Sequence, residues 1–314
     1  MKLALVFPGQ GSQSVGMLSA LAASDPVVSD TFAEASAVLG YDLWRLCQEG
    51  PAELLNATAT TQPALLAAGT AAWRAWLGRG GPDPAVVAGH SLGEITALVC
   101  AGALDFQAAV DLVRFRGEVM QEAVPAGAGA MAAILGLADA DVEAGCAEAA
   151  QGEIVVAVNY NAPGQVVIAG TSAAVGRAVE ACRARGAKRA VELPVSVPSH
   201  SPLMRPAATR FRERLAEVRV TAPRIPVYAF DAERHDGPDS IRDALYRQLF
   251  NPVRWSAVVG AMIGEGVTHV VEAGPGKVLA GLVRRADGAK GLAVFPVDAT
   301  DTLEKALQGC SGDL

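Results

Sequence analysis

The chain has 314 residues, 51% hydrophobic and 19% charged, enough for one large domain or a domain carrying a smaller insertion, with a sizeable core and no extensive disorder. A net charge of −7 argues against a general nucleic-acid binder. Five scattered cysteines, without metal-ligand or CxxC spacing, point to free thiols in a reducing compartment rather than a disulfide scaffold.

The apolar run in Met1 to Pro8 is too short for the core of a signal peptide, and no uninterrupted apolar run reaches the roughly 18 residues of a membrane span. A soluble, cytoplasmic protein is expected. Leu3 to Phe7 is continuously apolar, as a central strand of a parallel sheet would be. It empties into Pro8-Gly9-Gln10-Gly11-Ser12-Gln13, a glycine-rich loop without the Lys-Ser/Thr ending of a phosphate-binding loop. This loop is either a bare turn or a donor of a backbone N–H near Gln10 to an oxyanion. Asp25 to Trp76 reads as helical with breaks at Gly40, Gly50-Pro51 and Pro63. The polar run Asn56 to Gln62 reads as a cap for the helix after it.

Next comes Ala85-Val-Val-Ala88, a short buried strand, then Gly89-His90-Ser91-Leu92-Gly93, then a helix from Glu94 to Ala101. Strand, Gly-x-Ser-x-Gly and helix make the pattern of a nucleophile elbow. The glycines permit a sharp turn and close backbone approach. Ser91 is then displayed at the tip, against the free N–H groups of the helix, where negative charge is favoured. Asp105 to Val124 forms a helix with an apolar stripe at Phe106, Ala109, Val110, Val113, Gly117 and Met120. On a helical wheel Arg116 lies about 60° from the stripe centre and Arg114 about 100°. Spacing alone makes Arg116 a boundary arginine lying over the core.

Gly127-Ala-Gly129 reads as a hinge. A β-α-β-β-α-β series follows: Ala130–Leu135, Asp139–Ala150, Ile154–Val158, Gln165–Ile168, Ser172–Arg185 and Ala190–Leu193, with Asn159 to Gly164 as a connection. This is a ferredoxin-like unit. The expected fold is α/β: an α/β-hydrolase-like core with a parallel sheet, residues 1–127 and 196–314, interrupted by the ferredoxin-like insertion, 128–195. In the returning segment, residues 203 to 218 read as a helix and Ile225 to Phe230 as a strand. A polar loop from Asp231 to Asp239, a helix Ile241–Leu249 and strands Thr268–Glu272 and Leu292–Val297 complete the reading.

A serine nucleophile needs a base within hydrogen-bond reach. His90 adjoins Ser91, so its ring should point elsewhere. His235 lies in a polar, mobile loop, and His269 opens a strand. His200 sits between Pro198 and Pro202, in a stiffened loop where the chain re-enters the main sheet, which suits a base. No acidic residue after the serine stands out as a third member, so a backbone carbonyl is the alternative support for the imidazole.

With these residues in hand, the sequence resembles the malonyl-CoA:acyl carrier protein transacylases along essentially its whole length. The motifs are Phe7-Pro-Gly-Gln-Gly-Ser-Gln13, Thr61-Gln-Pro63, Gly89-His-Ser-Leu-Gly-Glu94, Arg116-Gly117, Asn161-Ala-Pro-Gly-Gln165, Ser199-His-Ser-Pro-Leu-Met204, Gln248-Leu-Phe-Asn-Pro-Val-Arg-Trp255 and Glu272-Ala-Gly-Pro-Gly-Lys277. The resemblance implies that Ser91 is acylated and that His200 is its base. It implies an oxyanion hole of the Gln10 and Leu92 amides, Arg116 on the malonyl carboxylate, and the Gln248 backbone carbonyl orienting His200. It also implies malonyl-CoA and holo acyl carrier protein as partners and no metal or other cofactor; with the charge and hydropathy above, no nucleic-acid or membrane partner is expected, and the chain is expected to act as a monomer. A polyketide-pathway acyltransferase and a serine acyl hydrolase are the alternative readings. Two departures stand out. The family's Asn-Val-Asp-Ala segment is here Tyr228-Ala-Phe-Asp-Ala232, and Ser199 replaces the Phe that many relatives carry before the histidine. Arg177, Arg183, Arg185, Lys188 and Arg189 form either a solvated face or a docking patch for an acidic carrier.

Overall fold

The computed structural model describes residues 1–195 and 197–311. Strand β1 (Leu3–Phe7) is buried along its whole length and lies at the centre of a five-stranded parallel sheet. The other strands are β2 (Val86–Gly89), β7 (Val227–Tyr228), β8 (His269–Ala273) and β9 (Ala293–Val297), in the order β7-β2-β1-β8-β9. Alternate residues of β1 enter opposite cores. Leu3, Leu5 and Phe7 pack under Thr58–Gly78, Leu92–Cys100 and Phe106–Glu122, whereas Ala4 and Val6 pack with Trp255–Gly264 and Val278–Val283. Helices on both faces explain why β1 has no polar alternation. Burying a side chain such as Phe7 contributes about 1.5–3 kcal/mol relative to leaving it exposed.

The second sheet is antiparallel, with β3 (Gly129–Leu135), β4 (Val155–Ala162), β5 (Gln165–Thr171) and β6 (Arg189–Glu192) in the order β4-β5-β3-β6. Helices Asp139–Ala150 and Ser172–Ala184 pack on it around their own core of Ile134, Val142, Val166, Ile168 and Val179. This is the ferredoxin-like order expected from the β-α-β-β-α-β series. Ser196, where the second segment of the large unit was expected to begin, lies outside the described residues.

Several local expectations are corrected. Pro63 does not break a helix but sits inside Thr58–Gly78, close enough to its start that one carbonyl, that of Ala59, loses its donor. The polar run Asn56 to Gln62 is therefore largely part of that helix rather than its cap. The connection Asn159–Gly164 is mostly strand, because β4 continues to Ala162 through two register shifts and turns back at Pro163-Gly164. The strand expected over Ile225–Phe230 shrinks to Val227–Tyr228, since the Phe230 N–H is taken by the Glu94 carboxylate at 2.9 Å. Helices Trp255–Gly264, Val278–Val283 and Thr300–Cys310 had no counterpart in the sequence reading. The five cysteines are free and buried. Among the described residues no helix is long and apolar enough to cross a membrane.

Candidate active site

The carboxyl ends of β1 and β2 open into a cleft of about 570 Å³, the side of an open parallel sheet where ligands bind. Gln10, Ser91, Arg116 and His200 line it from the large unit, and Met131 and Gln165 face them from the antiparallel sheet.

Ser91 follows β2 and caps the helix Leu92–Cys100 with φ 54° and ψ −111°, a conformation that costs a non-glycine residue about 1–3 kcal/mol. The turn closes tightly around it. A Cβ on Gly89 would stand 1.8 Å from the Gly93 carbonyl carbon, and one on Gly93 would stand 2.0 Å from the Phe7 oxygen. Only hydrogen at both positions lets the helix start against the end of β1. Leu92 is the first helical residue, so its N–H has no intrahelical acceptor. It lines the cleft with Gln10 from the loop after β1.

The Ser91 Oγ stands 2.8 Å from His200 Nε2, and His200 Nδ1 donates to the Gln248 carbonyl at 2.7 Å. That carbonyl accepts only, which fixes the tautomer and leaves Nε2 free to accept the serine proton. The next carbonyl, of Leu249, accepts the His200 backbone N–H at 3.0 Å. Both carbonyls belong to the C-terminal end of the helix Pro238–Gln248, where unpaired carbonyls and the helix dipole favour a cation. Burial and the nearby Arg116 charge push the His200 imidazole down to about 3, against the opposing Gln248 bond. The resting base is therefore neutral.

Arg116 is 1% exposed, so the boundary position inferred from spacing is corrected: the side chain is fully inside. It gets there because Gly117 brings its helix against Thr58–Gly78; a Cβ on Gly117 would meet the Ala59 Cα at 2.6 Å. Its Nη1 donates to Gln62 Oε1 at 2.8 Å and its Nη2 to Gln248 Oε1 at 2.8 Å, with Ser91 Oγ 3.4 Å from Nη2. Its Nε, also buried, has no partner among the described residues. Among the described residues no carboxylate forms an ion pair with it. Burial lowers this guanidinium from 12.5 to about 10.

Four site-lining or supporting residues were missed or undervalued in the sequence. Gln62 is buried on Arg116. Glu94, 0% exposed, accepts from Gln248 Nε2 at 2.8 Å. His235, expected in a mobile loop, is 8% exposed with its Nε2 3.0 Å from Glu94 Oε1. Asn161 holds the His90 ring through a 2.9 Å bond, while the Ser91 hydroxyl is bonded to His200. Each pairing joins distant segments, and only the Gly-x-Ser-x-Gly-Glu string hints at one of them. In the basic patch, Arg177, Arg183 and Arg185 are paired with Glu153, Glu180 and Glu148, whereas the exposed Lys188 and Arg189 have no ion pair among the described residues.

The acyl transferase domain model matches residues 4–296. Among curated relatives, the malonyl CoA-acyl carrier protein transacylase of Escherichia coli K12 is 59% identical over 285 residues, covering 90% of this chain and 92% of that one. That of Haemophilus influenzae is 52% identical over 309 residues, covering 98% and 99%. Among solved structures, a malonyl-transacylase in complex with its type II PKS acyl-carrier protein superposes with a TM-score of 0.96 at 52% identity, covering 98% of this chain and 100% of that one. The malonyl CoA-acyl carrier protein transacylase of Coxiella burnetii gives 0.97 at 47%, covering 99% and 98%. With the elbow, the imidazole and the buried guanidinium in one cleft, these likenesses place the chain in the acyl transferase domain family, among the malonyl CoA-acyl carrier protein transacylases.

Proposed function

We propose that this chain moves a malonyl group from malonyl-CoA to the phosphopantetheine thiol of an acyl carrier protein, through a malonyl ester on Ser91. The observation that carries the reading is Arg116: a buried cation held by two neutral amides, without an ion-paired carboxylate among the described residues, beside a nucleophile. A guanidinium so placed favours an acyl group that brings its own carboxylate. An acetyl group would leave it desolvated and unpaired.

In the first half-reaction His200 Nε2 takes the Ser91 proton as Oγ adds to the thioester carbonyl. The oxyanion is held by the Gln10 and Leu92 backbone N–H groups; losing one such donor typically costs about 2.7–4 kcal/mol of barrier. Collapse breaks the C–S bond, and the CoA sulfur leaves with the proton from His200. In the second, the carrier thiol gives its proton to His200 and attacks the ester, and Ser91 Oγ recovers the proton. Every step is proton and acyl transfer among these groups. Residues 1–127 and 196–314 act as the catalytic body, and 128–195 as an inserted wall of the cleft. A polyketide carrier is a second acceptor class, favoured by the likeness to the transacylase solved with a type II PKS carrier.

The test is incubation with malonyl-CoA, with and without holo carrier protein. A malonyl adduct on Ser91 that discharges onto the carrier is expected. Rapid release of malonate without carrier acylation would overturn the transferase reading in favour of a hydrolase. Arg116→Ala is expected to lose malonyl transfer and gain some transfer of uncharged acyl groups; unaltered malonyl turnover would overturn its assigned role.

A further inference from the structure

Behind the guanidinium lies a second layer of buried polar groups that the reaction above does not use. Gln248 stands at its centre. The side-chain Nε2 donates to Glu94 Oε2 at 2.8 Å and to the Ser91 carbonyl at 3.1 Å, while Oε1 accepts from Arg116 at 2.8 Å. An amide has donors at one end and an acceptor at the other. A carboxylate and a carbonyl can only accept, and a guanidinium can only donate. Turning the Gln248 amide over would set oxygen against two oxygens and N–H against N–H, in a place fully buried from solvent.

Glu94 is itself held from three sides. Beyond Gln248, Oε2 accepts the Phe230 N–H at 2.9 Å, and Oε1 meets His235 Nε2 at 3.0 Å. It lies in the first turn of the helix Leu92–Cys100, three residues after the nucleophile, so it moves with Ser91. The other amide on the guanidinium lacks such an anchor, since among the described residues Gln62 Nε2 has only the Met120 sulfur, at 3.5 Å. A carboxylate bonded directly to Arg116 would neutralise it and occupy the hydrogens that a substrate needs. Interposing a neutral amide holds the arginine in place and leaves its charge available.

We propose that Glu94 is a positioning residue for acyl selection: its buried carboxylate, steadied by His235, fixes which way round the Gln248 amide stands, and that amide aims Arg116 at the acyl carboxylate. The inference rests on the carboxylate-binding role of Arg116 given above.

The experiment compares wild type, Glu94→Ala, Glu94→Gln, Gln248→Met and Arg116→Ala in Ser91 acylation by malonyl-CoA and by acetyl-CoA, with folding checked by circular dichroism. Glu94→Ala should lower malonyl kcat/KM at least about tenfold, chiefly through KM, and change acetyl kcat/KM much less. Glu94→Gln should restore most of the preference, because its carbonyl can still accept from Gln248 while its amide N–H meets the other His235 tautomer. Gln248→Met, which keeps the backbone carbonyl on His200, should lose the preference like Glu94→Ala, and it decides the matter if Glu94→Ala does not fold. An equal loss for both acyl groups in the folded variants, or an unchanged malonyl-to-acetyl ratio, would overturn the proposal. If Arg116→Ala shifts that ratio and neither Glu94→Ala nor Gln248→Met does, only this inference falls; if Arg116→Ala leaves it unmoved, the underlying reading falls as well.

Discussion

Ser91 and His200, 109 positions apart, meet at 2.8 Å, and both do so from left-handed backbone conformations, φ 54° and φ 64°. Reach and strain go together here. Each side chain is pushed out of its turn toward the other, and the surrounding contacts hold it there.

Stability should expose the strain at the nucleophile. Ser91→Ala and Ser91→Gly both lose the hydroxyl, but only glycine adopts φ 54° without penalty. Ser91→Gly is expected to be more stable than Ser91→Ala by about 1 kcal/mol, read as the difference in denaturation midpoints. Equal midpoints would show that the turn is relaxed.

The low imidazole sets the pH behaviour. His200 is lowered from 6.5 to about 3, mainly by burial and next by Arg116. Between those values the unfolded chain binds the extra proton, so this group's contribution to stability is complete above 6.5 and is lost as pH falls toward 3. Single-turnover acylation should stay flat from neutral pH down past 6.5 rather than fall with an ordinary histidine. Arg116→Ala removes one cause of the depression, so the acid limb for acetyl-CoA should move upward. Stopped-flow acylation over a pH series checks both.

Charge without shape should not suffice at Arg116. Lysine keeps the cation but cannot span Gln62 and Gln248 while offering a fork to a carboxylate. Arg116→Lys is expected to lower malonyl kcat/KM by roughly ten- to a hundredfold, with the loss mainly in KM. Steady-state kinetics with malonyl-CoA would show it.

Much of this arrangement was legible in the chain because it is local. Leu3–Phe7 is a strand with the bounds expected, Asp139–Ala150 a helix with the bounds expected, and the elbow lies where glycine spacing put it. What escaped is non-local or lacks a period. Trp255–Gly264 is apolar on nearly every side, so no stripe marks it as a helix. His235 sits among charged and polar neighbours, and its partner Glu94 lies 141 positions away, beyond the reach of any local pattern. Gln62 likewise looked like part of a cap until Gly117 brought its helix and that of Arg116 together.

The elbow glycines give a further measurable consequence. Gly89→Ala must push the new methyl out of the Gly93 carbonyl, at a cost of about 3 kcal/mol or more. Thermal denaturation should show a lowered midpoint, and acylation should fall even in the protein that remains folded, because Ser91 is carried off its line to His200.

The cleft has two walls of different origin: strand ends that carry the reacting atoms, and the face of an antiparallel sheet that carries Met131, Ala133 and Val167. Steric collisions freeze the first wall, whereas the second is a row of side chains whose bulk sets the width of the cleft. New acceptor preferences could therefore be bred into the insertion alone, with bond-making left as it stands.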